Sequence, residues 1–233
     1  MASIKQETSG NATVWTLRNT KGNELKVTDA GARAVSMRFR DKDFTNRFLL
    51  TDTSALLVDG ADFADRWQGE ATDEGIKFTA ERDGKKVTVI YGLSNDNEIS
   101  IKYAAEGVDD VTAKLVFTAE ALPDIDIRAC QKGAAWEKID GDKNYPVTEP
   151  AEVMMEVGMF GYDFGCPIDY LNAGLKNAAN LFSDAASIEI IAYATQDAIH
   201  AQAVDGGFAL CTSGSKIDGA VKGQTVYMLK NRK

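Results

Sequence analysis

The chain is short of the residues from which most catalytic and metal motifs are built. It has one histidine, His200, and three cysteines, Cys130, Cys166 and Cys211, in 233 residues. The cysteine spacing matches no zinc or redox motif, and an odd number closes no disulfide framework, so reduced, structural thiols are expected. There is no GxGxxG, P-loop, HExxH or nucleophile elbow, and neither a metal nor a cofactor is expected. Asp140-Gly141-Asp142-Lys143-Asn144 opens like a calcium loop. Tyr145 then stands where glycine is required, and Ala151 where a bidentate glutamate is required, so the segment reads as a solvated turn. Proline is scarce, 4 against 20 glycines. No long polar tract, internal repeat or composition shift marks disorder or a linker. No apolar run approaches the roughly 18–20 residues that span a membrane. The opening MASIKQETSGNATVW lacks the apolar core of a signal peptide, so a cytoplasmic protein without a membrane partner is expected. Positive charge is in deficit: 26 Lys and Arg against 35 Asp and Glu give a net charge of −9. That balance disfavours nucleic acid and anionic surfaces, and a neutral ligand fits it better.

What the chain has is alternation. In Lys86–Ala105, Val87, Val89, Tyr91 and Leu93 occupy every second position, as do Ile99, Ile101, Tyr103 and Ala105. A period of two places each set on one face of a strand. Ser94-Asn95-Asp96-Asn97 between them are turn formers, which predicts a long antiparallel hairpin. A lone hairpin is marginal in water, so further strands and a second layer are required. Shorter alternating runs predict strands at Ala12–Leu17, Glu24–Thr28, Val35–Phe39, Phe48–Leu50, Ile76–Glu81, Thr112–Thr118, Ile125–Ala129, Ala134–Lys138 and Glu152–Glu156. Four more are predicted at Ser187–Tyr193, Ile199–Val204, Phe208–Thr212 and Val226–Lys230, with Gly223-Gln224 as the last turn. Thr53–Asp65 is the best helical candidate, and Leu171–Ala179 reads as loop or short helix. About a dozen short strands with little helix predict an all-β, antiparallel sandwich or barrel, in a single domain over residues 1–233.

The order of features in WTLRNTKGNELKVTDAGARAVSMRFRDKD, in Asp83–Tyr103 and in Gly161-Tyr162-Asp163 resembles the aldose 1-epimerases, the galactose mutarotases. The resemblance covers most of the chain in outline and implies a large antiparallel β-sandwich (a supersandwich) with a sugar cleft on one concave sheet. Its chemistry needs one group to take the anomeric proton and another to protonate the ring oxygen, each titrating near working pH. The family uses a glutamate and two histidines for this. A chain with only His200 cannot carry two histidines. By this matching the family's Asn-His strand falls near Phe117-Thr118, its glutamate falls on Cys211, and the histidine of Gly-Tyr-Asp-His becomes Phe164. Asp163 alone matches as a sugar-binding residue. The resemblance therefore implies the scaffold without its catalytic pair: a monosaccharide- or oligosaccharide-binding protein. The alternatives are an active epimerase or related isomerase with a rearranged site, or a structural sandwich without a sugar site.

The candidate ligand residues are then Asp163, His200, Arg66 and Trp67. A carboxylate such as Asp163 accepts hydrogen bonds from two hydroxyls, although a loop carboxylate satisfied by backbone amides is the plainer reading. His200 shares a strand face with Gln202, and as the chain's one imidazole it is the one candidate for acid–base work. A structurally bonded histidine is the commoner case. For a rearranged site, Asp163 and Glu70 are the carboxylates to consider beside it, and Asp197 lies near it in sequence. Trp67, Trp136, Tyr145 and Tyr162 have faces on which a sugar stacks, but aromatics more often fill cores. Arg66 donates in a fork suited to hydroxyls or an anion. Cys211 reads as a small buried apolar residue. A phosphorylated sugar would call for several arginines together, and the linear sequence shows no such cluster.

Overall fold

A computed structural model describes residues 2–130, 136–138, 143–146, 174–196 and 198–232. Among them the chain forms twenty strands and no helix. In chain order these are β1 (Ser3–Ser9), β2 (Ala12–Arg18), β3 (Glu24–Thr28), β4 (Arg33–Arg40), β5 (Asn46–Phe48), β6 (Ala55–Val58), β7 (Gln68–Thr72), β8 (Gly75–Arg82), β9 (Lys85–Leu93) and β10 (Glu98–Glu106). There follow β11 (Val111–Thr118), β12 (Asp126–Cys130), β13 (Trp136–Lys138), β14 (Lys143–Pro146), β15 (Lys176–Ser183), β16 (Ile188–Ala194), β17 (Ala198–Val204), β18 (Gly207–Ser213), β19 (Ser215–Ile217) and β20 (Ala220–Asn231). They build three antiparallel sheets: β1-β2-β3-β4-β5, the ten-stranded β13-β12-β15-β16-β20-β10-β9-β8-β7 with β19 beside β20, and β14-β17-β18-β11-β6.

The predicted hairpin is the centre of the large sheet. Leu93 pairs with Ile99 and Lys86 with Glu106, so the alternation read from the sequence is also the pairing register. Ser94 closes the turn: its Oγ accepts the N–H groups of Asp96 and Glu98, both at 3.1 Å, and Asn97 takes a left-handed φ of 68°. An asparagine tolerates that conformation where a branched residue would not. The Asn97 carboxamide oxygen also accepts Nδ2 of Asn19 at 2.9 Å and of Asn23 at 2.7 Å, tying the first sheet to this turn.

One face of the large sheet carries Val87, Val89, Tyr91, Ile101, Tyr103 and Tyr227, all buried. The two five-stranded sheets cover that face side by side. Over β8 and β9, Trp15 meets Phe78 edge-on at 5.2 Å and the Tyr91 hydroxyl donates to Ala32 O at 2.8 Å. Gly69, opposite Phe78, has no room for a Cβ because the Trp15 ring lies on it. Over β10 and β20, Phe117 packs on Tyr227 at 5.8 Å, Thr212 and Thr225 share a hydroxyl hydrogen bond of 2.8 Å, and Tyr103 donates to Thr212 O. Burial pushes the Tyr91, Tyr103 and Tyr227 hydroxyls above their ordinary range, as expected of phenols removed from water. The architecture is the all-β supersandwich that the resemblance implies.

Several expectations are corrected. Thr53–Asp65 is not helical: Ala55–Val58 is a strand paired with β11, followed by a turn in which Asp59 (φ 51°) and Gly60 (φ 78°) are left-handed. The turn is held because the Asp59 carboxylate takes the Lys85 ammonium at 2.9 Å and the N–H groups of Asp109 and Asp110 at 2.9 and 3.0 Å. Local propensity loses there to tertiary hydrogen bonding. Gly223-Gln224 is no turn but the interior of β20. Gly223 is needed there because a Cβ would strike the Tyr103 hydroxyl and the Gln196 amide. The reversal comes earlier, at Asp218-Gly219. The chain's first strand is the polar Ser3–Ser9, which pairs with β2 from Ser3↔Arg18 to Ser9↔Ala12. The described part of Leu171–Ala179 enters β15 at Lys176, between β12 and β16. Phe48 ends β5 rather than opening a strand, and Leu50 bridges singly to Phe117. Glu152–Glu156 lies outside the described residues. No helix of the described residues is long and apolar enough to cross a membrane.

Candidate functional site

The matching drawn from the sequence points to β11, for the family's Asn-His strand, and β18, for its glutamate. These two strands are hydrogen-bonded neighbours, and β17, which carries His200, flanks β18 on the other side. Directly opposed residues of antiparallel strands share a face. His200 opposes Cys211, and Cys211 opposes Lys114, so imidazole, thiol and ammonium stand in one row across the sheet. The next row is Gln202, Ala209 and Val116. The row on the other side pairs Ser213 with Thr112, whose hydroxyls lie 2.6 Å apart, and Thr112 donates to Asp110 Oδ2 at 2.8 Å.

This is the outer face of the sheet. Ile199, Ala201, Leu210 and Leu115 alternate with these residues and face the core. The outer face nonetheless has a buried floor: Val116 is 1% exposed, Ala209 0% and Cys211 9%, and none of the three belongs to the main core cluster. His200, Gln202 and Lys114 are half-buried above it. The face thus offers hydrogen-bond donors and acceptors on an apolar base, the composition of a small-molecule site. No carboxylate occupies the register positions directly beside His200 among the described residues, which are Cys211 on β18 and Asn144 on β14.

The other sequence candidates sit elsewhere. Arg66 donates through Nη1 to Asp29 Oδ1 at 2.9 Å, and the same carboxylate oxygen accepts the Thr13 N–H. Trp67 is 4% exposed, packs on Phe63 at 5.8 Å, donates its indole N–H to Ala64 O, and gives its backbone N–H to Asp29 O. No described contact joins this corner to the His200 row. Glu70 lies on the exposed edge strand β7, paired with Lys77 at 2.7 Å. Asp163, Tyr162, Phe164, Cys166 and Asp197 lie outside the described residues, as do the side chains of Trp136 and Tyr145. No group of three or more metal-ligating side chains is present among the described residues. Lys114 was missed by sequence reading. Its alternation with Ala113 and Leu115 gives its face, but nothing local reveals that β18 places Cys211 opposite it.

No protein-family model matches the chain, and no curated protein matches it. Solved structures do. A GalM/aldose epimerase homologue from C. elegans superposes with a TM-score of 0.64 over 100% of both chains at 11% identity. A galactose 1-epimerase from Lactobacillus acidophilus NCFM gives 0.57 over 100% of both at 14%. A galactose mutarotase-like protein from Clostridium acetobutylicum gives 0.60 over 99% of both at 9%. The resemblance read from the hairpin therefore extends to the whole architecture, a galactose mutarotase-like β-sandwich.

Proposed function

We infer that this protein binds a carbohydrate on the outer face of β17, β18 and β11 and lacks the usual His/Glu mutarotase chemistry. The observation that carries the reading is Cys211: the position that matches the family's glutamate holds a buried thiol directly opposite the chain's one histidine. His200, Gln202 and Lys114 supply the hydroxyl-binding groups, and the buried floor beneath them excludes water from one side of the sugar. Asp163 adds a carboxylate acceptor for sugar hydroxyls. Arg66, held by Asp29, and Trp67, buried beside Phe63, sit at a separate corner and lie outside the proposed site. Residues 1–233 act as one domain, in the cytoplasm, without nucleic acid or membrane partners.

Calorimetric titration with a panel of monosaccharides and short glycans, paired with polarimetry on fresh α-glucose and α-galactose, tests this. Saccharide binding with anomer equilibration at the spontaneous rate is expected. Binding to no member of the panel, or equilibration well above that rate, overturns it.

A further inference from the structure

The first sheet assembles a cluster of arginines that the linear sequence hides. Arg18, at the end of β2, opposes Glu24, and Glu24 opposes Arg38 on β4. Arg40 lies two residues further along β4, on the same outer face. The turn at Gly22 is where they meet. Arg38 Nη2 donates to Gly22 O at 3.0 Å, while Arg40 Nη2 and Arg18 Nη2 lie 3.8 and 3.9 Å from the point a Cβ on Gly22 would occupy. A side chain there would fill the gap between the guanidinium tips, and Gly22, with φ of 82°, leaves it open.

The charges do not balance. Two of the three guanidinium groups share one carboxylate, Glu24, at 2.6 Å from Arg38 and 3.7 Å from Arg18. Among the described residues no carboxylate is ion-paired with Arg40. The Nε atoms of Arg38 and Arg40 are buried without a hydrogen-bond partner. The Arg38 side chain is 19% exposed and Glu24 20%, so solvent screens this excess only in part. Buried donors without acceptors and like charges held together are costly unless something anionic completes them. That such a patch persists on a chain of net charge −9 makes it a local feature rather than a basic surface.

We propose that Arg18, Arg38 and Arg40 form a binding site for a phosphate group at the Gly22 turn. Planar forked donors converging from two strands match the oxygens of a tetrahedral dianion. Glu24 has a positioning role: it holds Arg38 in place and keeps the site from accepting anions indiscriminately. The site is separate from the His200 face and does not depend on the carbohydrate reading.

The test is calorimetric titration of the full chain, in low-chloride buffer, with inorganic phosphate and with glycerol 3-phosphate as separate arms. Arg40→Gln and Arg18→Gln are expected to weaken binding at least tenfold each. Arg47→Gln, whose arginine pairs with Asp41 instead, should bind as the wild type does. Added salt should weaken the wild type, as it does exposed ion pairs. Comparable binding in both arms identifies the phosphate group itself as the ligand, and binding of glycerol 3-phosphate alone identifies an organic phosphate. The proposal is overturned if neither binds at millimolar concentration, or if the Arg40 and Arg18 variants bind as tightly as wild type while their melting temperatures are unchanged. Should either variant unfold, Arg40→Lys keeps the charge without the fork and is expected to show the same loss; unchanged affinity there also overturns it.

Discussion

The two five-stranded sheets dock on the same face of the large sheet by similar means, an aromatic pair and a hydroxyl hydrogen bond in each case, yet their outer faces share little. The sheet β1–β5 presents guanidinium groups around one carboxylate, with backbone carbonyls and a glycine turn between them. The sheet β14-β17-β18-β11-β6 presents imidazole, thiol, amide and ammonium over a buried apolar floor. Inner faces answer to packing, which many side chains satisfy equally well. Outer faces are released from that demand, so chemistry accumulates there, and one scaffold carries unlike sites.

The largest effects should come from breaking the docking itself. Trp15→Ala and Phe117→Ala each remove an aromatic that joins a small sheet to the large one, and each should cost about 3–5 kcal/mol in urea unfolding. If the sheets form one cooperative unit, both variants shift the midpoint of a single transition; two separated transitions in either would show that the sheets unfold independently. Next, Asn97→Ala strands two buried amide donors and puts alanine at a left-handed φ, and about 2 kcal/mol should be lost. The His200 face should not notice, and saccharide affinity should be unchanged apart from any loss of folded protein; phosphate affinity should fall as well, because Asn19 and Asn23 frame the Gly22 turn and Asn23 Oδ1 accepts the Arg40 N–H. His200→Ala should lower saccharide affinity about tenfold, near 1.4 kcal/mol, while phosphate binding is kept. Loss of both together would erase the distinction between the faces.

The smallest effect concerns Asp59. The Lys85 ammonium, then the N–H groups of Asp109 and Asp110, hold its carboxyl down at about 2, against an ordinary 3.8. A depressed carboxyl stabilises the fold fully above its unfolded value and loses that contribution as pH falls through the folded one. Asp59→Asn should therefore flatten the acid limb of the stability curve between 3.8 and about 2 and leave neutral-pH ligand affinities untouched. An acid limb as steep as that of the wild type would mean that other carboxylates carry it.

Legibility followed the range of the interaction involved. The hairpin from Lys86 to Ala105 was readable to within one residue at each end because alternation and turn chemistry are both local. Ser3–Ser9 was not, because seven mostly polar residues become a strand only by pairing with β2. Thr53–Asp65 misled for the same reason: Asp59 is secured by Lys85, Asp109 and Asp110, all distant in sequence. At the candidate site, His200 and Gln202 were correctly placed on one face, and Cys211 was singled out by the family matching. Their adjacency and the presence of Lys114 had to wait for the register. Trp67 behaves as aromatics usually do and sits in the core.

By itself the chain determined its strand periodicity, its turns at asparagine and glycine, and a histidine count of one, since each is a property of neighbouring residues or of composition. Tertiary structure alone decided which strands lie side by side, and with that set His200 against Cys211 and gathered Arg18, Arg38 and Arg40 at one turn. Those meetings depend on the pairing of segments far apart along the backbone, where the energy of burying a whole face, and no preference of any single residue, selects the register.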